Sequence, residues 1–193
     1  MTEAQIQELF ERLGRLVSAT KEHHGEGAAW DYTLPNGETH SYIIRGVKSH
    51  EAIQDSVFNL LIWIWNTKDY LKARASALGV TKKMVEDAVN SHAGLTVCAD
   101  LANRLKHGRL DRESRSGLNP YLGNVSFHVP QSAMGALIFR AFEVEMDVND
   151  SSRIELRLPI LDDKGDEISD AFECAAHAIK ALESIHDKIE HSV

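Results

Sequence analysis

Residues 49 to 78 constrain the fold more than any other part of the chain. Ile53, Val57, Leu60, Leu61, Ile64, Leu71, Ala75 and Leu78 recur at the spacing of one helical face, and Phe58, Ile62 and Trp65 add a second apolar face. A helix apolar on two sides has to be covered on two sides, so it belongs at the centre of whatever forms. Its densest run, VFNLLIWIW at 57 to 65, is about half of what a bilayer-spanning helix needs, and Asp55, Asn66, Lys68 and Asp69 flank it closely. The segment therefore reads as a core helix, and no membrane association is expected.

The segments around it supply the cover. Ile6, Leu9, Phe10, Leu13, Leu16 and Val17 mark an amphipathic helix over 2–22. Gly79 ends the central helix, Thr81 is a suitable N-cap for a short helix to about Asn90, and a further helix over about 94–107 closes at Gly108. Asp170, with Glu173 three residues on, has the form of a capping box for a last helix over 170–191. Between these lie strand signals. Asn36-Gly37 separates two runs rich in aromatic and β-branched residues, which predicts a hairpin over 30–44. Alternation at 124–129, 136–148 and 152–161 predicts a meander, with Phe142, Val144, Met146 and Val148 lining one face, and Ile154, Leu156, Leu158 and Ile160 another. The polar stretch DRESRSGLNP (111–120) reads as a surface loop. Helices and strands come in blocks instead of strict alternation, so the expected class is α+β: a mainly helical bundle with a small antiparallel sheet, in a single domain over 1–193.

A formal charge of −8 argues against a surface that attracts nucleic acid everywhere, although a local basic patch is compatible with it. The first residues lack the apolar run of a signal peptide, so a cytoplasmic location is expected. In that compartment Cys98 and Cys174, both in helical segments, read as packed thiols to which no chemistry is assigned. The chain has no His-x-x-x-His, Cys-x-x-Cys, Gly-x-Gly-x-x-Gly, P-loop or Gly-x-Ser-x-Gly spacing, and neither a metal nor a cofactor is expected.

The stretch ADLANRLKHG (99–108) concentrates the chain's candidate chemistry. On a helix Asp100, Asn103, Arg104 and His107 fall within an arc of roughly 100°, opposite Leu95, Val97, Cys98, Leu101 and Leu105. That pattern fits a functional cluster, and it equally fits a plain amphipathic helix with an Asp100–Arg104 ion pair. Ala99 and Ala102 leave room for another element to approach. Asp69, one turn after Trp65, is expected to be partly buried and to seek Asn103, Lys106 or His107 as its partner. Arg104, Lys106, Arg109, Arg112 and Arg115 make the most basic stretch of an acidic chain, where a phosphate could bind.

Trp65, Lys68, Asp69 and Tyr70, followed by Asp100, Asn103, Lys106 and His107, resemble the W-x-x-K-D-[YW] and D-x-x-N-x-x-K-H motifs of a group of short bacterial and phage-encoded helical proteins with no established activity. More distantly, the paired helices and the terminal histidine are similar to HEPN domains, helical bundles of toxin–antitoxin and phage-defence systems, many of which are metal-independent ribonucleases acting as dimers. That resemblance implies a HEPN-like core, a homodimer and RNA as a partner. In active HEPN members an Arg precedes the catalytic His with four to six residues between them, and here those positions hold Ala102, Leu101 and Asp100.

The expectation is a binding site for RNA or a nucleotide at the polar helix–helix face. A catalytic version would use His107 as base, Asp69 or Asp100 to orient it, and Asn103 as a donor to phosphate. Arg104, Lys106, Lys68 and Arg109 would hold the ligand's charge. The competing expectation is a non-catalytic, oligomeric interaction protein in which the same residues form a structural network.

Overall fold

The computed structural model describes residues 1–110 and 113–192. The chain is α+β, with five α-helices and small sheets among the described residues. The helices are α1 (Glu3–Lys21), α2 (His50–Ala77), α3 (Lys82–Asn90), α4 (Ala93–His107) and α5 (Ala171–Glu190). Its strands are β1 (Ala28–Thr33), β2 (Thr39–Arg45), β3 (Tyr121–Leu122), β4 (Ser126–His128), β5 (Met134–Arg140), β6 (Glu143–Val148), β7 (Glu155–Arg157), β8 (Pro159–Leu161) and β9 (Glu167–Asp170). They divide into two compact units, one of residues 1–19, 56–124 and 158–193, the other of 20–55 and 125–157.

The first unit is the helical one. Most of the predicted stripe of α2 is buried, with Val57, Leu60, Leu61, Ile64, Leu71 and Ala75 at 1% exposure or less, while Leu78, past the helix end, is half-buried. Each leucine or isoleucine so buried contributes about 1.5–3 kcal/mol. The second face of α2 is less complete: Trp65 is buried, whereas Phe58 and Ile62 are half-buried. α4 is closed by Gly108 in the left-handed region (φ 71°). Thr81 has the extended backbone of an N-cap for α3, yet its side chain makes no cap hydrogen bond. Asp170 caps α5, accepting from Phe172 N at 2.8 Å with one oxygen and from Leu158 N at 2.9 Å with the other. The same carboxylate thereby ties β9 and α5 to the strand segment before β8, in the small sheet ordered β3-β8-β9. Glu173 returns no bond among the described residues, so the capping box is half formed.

The second unit holds a four-stranded sheet ordered β1-β2-β6-β5. Its hairpins are local and antiparallel, but they meet through β2 and β6, which run parallel, so the sheet is mixed and not antiparallel as expected. The stretch 136–148, read as one alternating strand, turns at Ala141-Phe142 and pairs Arg140 with Glu143. Phe142 consequently stands half exposed at the turn, while Met146 and Val148 pack on the core of Ala28, Ile44, Val47 and Ile154. On the opposite face Glu145, 7% exposed, accepts from Arg45 and Arg140. Burial opposes its charge, but the Arg45 hydrogen bond, the larger influence, holds its carboxyl below the usual range. No helix among the described residues is long and apolar enough to cross a membrane.

Candidate functional site

The polar side of α4 is not a uniformly wet face. All eight residues from Leu95 to Ala102 are buried, including Ala99 and Ala102 at 0% and Asp100 at 1% exposure. A carboxylate so enclosed needs donors, and the loop after α4 provides them. Asp100 Oδ1 accepts from Arg115 N at 2.9 Å, and Oδ2 accepts from Ser114 Oγ (2.7 Å), Ser116 N (2.8 Å) and Ser116 Oγ (2.7 Å). The Asp100–Arg104 ion pair expected from the sequence does not form among the described residues. Arg104 instead donates to Asn119 O at 3.3 Å, steadying a loop residue in the left-handed region (φ 48°) whose N–H is held by Ser114 Oγ.

Pinning Ser114, Arg115 and Ser116 to α4 also delivers the Arg115 guanidinium to α2 and α3. It lies 4.8 Å from the Trp65 ring centroid, donates to Asn90 Oδ1 at 2.9 Å and sits 3.5 Å from Glu86. The Lys68 ammonium, three residues after Trp65 on α2, lies 4.0 Å from the same ring centroid. Its side chain is 9% exposed, and its charge contacts are Asp69 at 3.4 Å and Glu86 at 3.7 Å. Burial alone would push the Glu86 carboxyl up. The hydrogen bond from Lys72 at 2.5 Å and the charges of Lys68, Lys72 and Arg115 outweigh it and bring the carboxyl down.

These elements enclose an open cleft of about 430 Å³ lined by Trp65, Lys68, Asp100, Asn103, His107, Leu110, Glu113 and Arg115. Four of the candidate residues, Lys68, Asp100, Asn103 and His107, are thus brought together. His107 is exposed at the last turn of α4, and neither it nor Asn103 has a hydrogen-bond partner among the described residues. The other four candidates lie outside the lining. Asp69 is not partly buried: its side chain is 67% exposed and its partner is Lys68. The buried positions of that turn are Thr67 and Lys68, which leaves Asp69 turned outward. Lys106 reaches across to Asn66 Oδ1 at 3.0 Å, Arg104 serves the loop, and Arg109 is exposed beyond the helix end. Asp111 and Arg112, part of the basic stretch, lie outside the described residues.

Sequence reasoning named Arg115 only as part of the basic stretch, and it missed Glu86, Ser114 and Ser116 as members of the site. Ser-Arg-Ser in a polar loop is a local signal for side-chain hydrogen bonding, but nothing in the spacing names Asp100 as its acceptor. Elsewhere in the first unit, Glu3, His186 and Glu190 place one potential ligand atom each within 4.8 Å of one another. The Arg74 guanidinium already supplies positive charge there, at 2.7 and 2.8 Å from the two Glu190 oxygens and 3.2 Å from Glu3. Compared with known proteins, the chain matches no family model, and no curated protein or solved structure is significantly similar to it.

Proposed function

We propose that the cleft between α2 and α4 binds the phosphate of a nucleotide-sized ligand, either a free nucleotide or the terminal phosphate of an RNA. One observation carries this reading. The Lys68 ammonium, in the wall of an open cleft, makes charge contacts but no hydrogen bond among the described residues. Three donors on a largely buried ammonium call for acceptors, and phosphate oxygens supply them with charge. Arg115, Asn103 and His107 add donors around the same space. Asp100 does not repel the anion strongly, because four hydrogen bonds already hold its negative charge. The volume falls within the range of small-ligand sites, about 300–1,000 Å³.

The reading is binding without cleavage. A histidine base needs an orienting acid, and no acid hydrogen-bonds to His107 among the described residues: both oxygens of Asp100 are engaged by the loop, Asp69 is exposed outside the lining, and Glu113 lines the cleft without bonding to the ring. Calorimetric titration of wild type and Lys68→Met with adenosine monophosphate, inorganic phosphate and a 5′-phosphorylated RNA oligonucleotide tests it. Wild type should bind at least one probe about tenfold more tightly than the variant, the worth of one charge-assisted contact. Equal affinity in both proteins, or no binding by wild type, would overturn the reading.

A further inference from the structure

Away from that cleft, the two cysteines that the sequence leaves without chemistry lie side by side. Cys98 of α4 and Cys174 of α5 have Sγ atoms 3.8 Å apart, in a helix crossing tight enough that a Cβ on Gly94 would lie 3.6 Å from Cys174 O. Both are free thiols, at 0% and 4% exposure. They are not equivalent. Cys174 lines a second open cleft, of about 650 Å³, whereas Cys98 lies behind it and is not part of the lining. The cleft is also lined by His92, His177, Lys180 and Lys188.

We propose that Cys98 and Cys174 form a redox-active pair that closes to a disulfide when a hydroperoxide enters this cleft, with Cys174 as the attacking and Cys98 as the resolving thiol. Cys174 sulfur attacks the terminal peroxide oxygen. The O–O bond breaks, Cys174 becomes a sulfenic acid, and the other oxygen takes up the proton that the Cys174 thiol gives up and leaves as an alcohol or, from hydrogen peroxide, as water. The Cys98 sulfur then attacks the sulfenic sulfur; the S–O bond breaks, the disulfide forms, and a second water carries away the oxygen and the Cys98 proton. Two thiols lose two electrons and one peroxide gains them.

The hydrogen bonding supports this division of roles. Either thiol can donate in the 3.8 Å contact, and Cys174 Sγ also lies 3.6 Å from Gly94 O. With Cys98 as the donor, the Cys174 thiol is drawn below its ordinary range against burial and the Asp170 charge, and the same bond together with complete burial pushes Cys98 well up.

The test is treatment of the native protein with hydrogen peroxide followed by intact-mass and thiol measurement. Wild type should lose two hydrogen atoms and both thiols together, and dithiothreitol should restore them. In Cys98→Ser, Cys174 should stop at a sulfenic acid that dimedone traps; in Cys174→Ser, Cys98 should remain unlabelled. Two retained thiols in peroxide-treated wild type would overturn the proposal. So would dimedone labelling of Cys98 in Cys174→Ser as fast as that of Cys174 in Cys98→Ser.

Discussion

Ser116 donates to Asp100 twice, from its backbone N–H at 2.8 Å and from its hydroxyl at 2.7 Å, and both bonds end on the same carboxylate oxygen. With Ser114 and Arg115 bonded to the same side chain, Asp100 anchors the loop that carries Arg115 into the cleft. Replacing Asp100 with Ala removes four bonds from a site that is 1% exposed and strands the loop donors. The expected loss is about 3 kcal/mol of stability, read from urea unfolding. Asp100→Asn keeps the shape and some acceptor capacity, so it should lose less; equal losses would argue against the anchoring role.

Glu86 gathers Lys68, Lys72 and Arg115 against α3. Its carboxyl is lower in the folded protein than in the unfolded chain, so its contribution to stability is present above the unfolded carboxylate value and is lost as pH falls through the lowered one. Its side chain is 27% exposed, which limits the contribution to less than about 1 kcal/mol. Urea midpoints for wild type and Glu86→Gln should therefore differ at neutral pH and converge in acid, once the pH has fallen through the lowered carboxyl. A difference that persists in acid would contradict the charge-based account.

His107 lines the cleft with Asp100 and Glu113, and neither acid hydrogen-bonds to it among the described residues. Incubated with mixed RNA in the absence of metal, wild type and His107→Ala should both leave the RNA intact. Cleavage by wild type that disappears in the variant would replace the binding-only reading with an enzymatic one.

The α-helical half of the fold is legible because burial and periodicity agree: α1, α2, α4 and α5 begin and end within two residues of the positions their stripes and caps indicate. The sheets are less so. Ala141-Phe142 lacks the Gly, Asn or Asp of a recognisable turn, and the charge pairs of Arg140 with Glu143 and Glu145 that accompany it cannot be read from alternation. The parallel meeting of β2 and β6 joins segments about a hundred positions apart, beyond any local signal. At the site, helical spacing correctly put Asp100, Asn103 and His107 on one side of α4. It could not show that a loop covers Asp100, because that depends on long-range hydrogen bonds from Ser114 and Ser116.

The three tryptophans allow the central claim to be read directly. Trp65 lines the proposed phosphate cleft, Trp63 lies under Arg12 in a separate pocket, and Trp30 stands on β1, stacked with Tyr42. Adenosine monophosphate titrated into ¹⁵N-labelled protein should shift the Trp65 indole and the Arg115 side-chain resonances together, leaving those of Trp30 and Trp63 in place. Shifts confined to Trp30 or Trp63, or none at saturating nucleotide, inorganic phosphate and 5′-phosphorylated RNA, would contradict a phosphate site at Lys68.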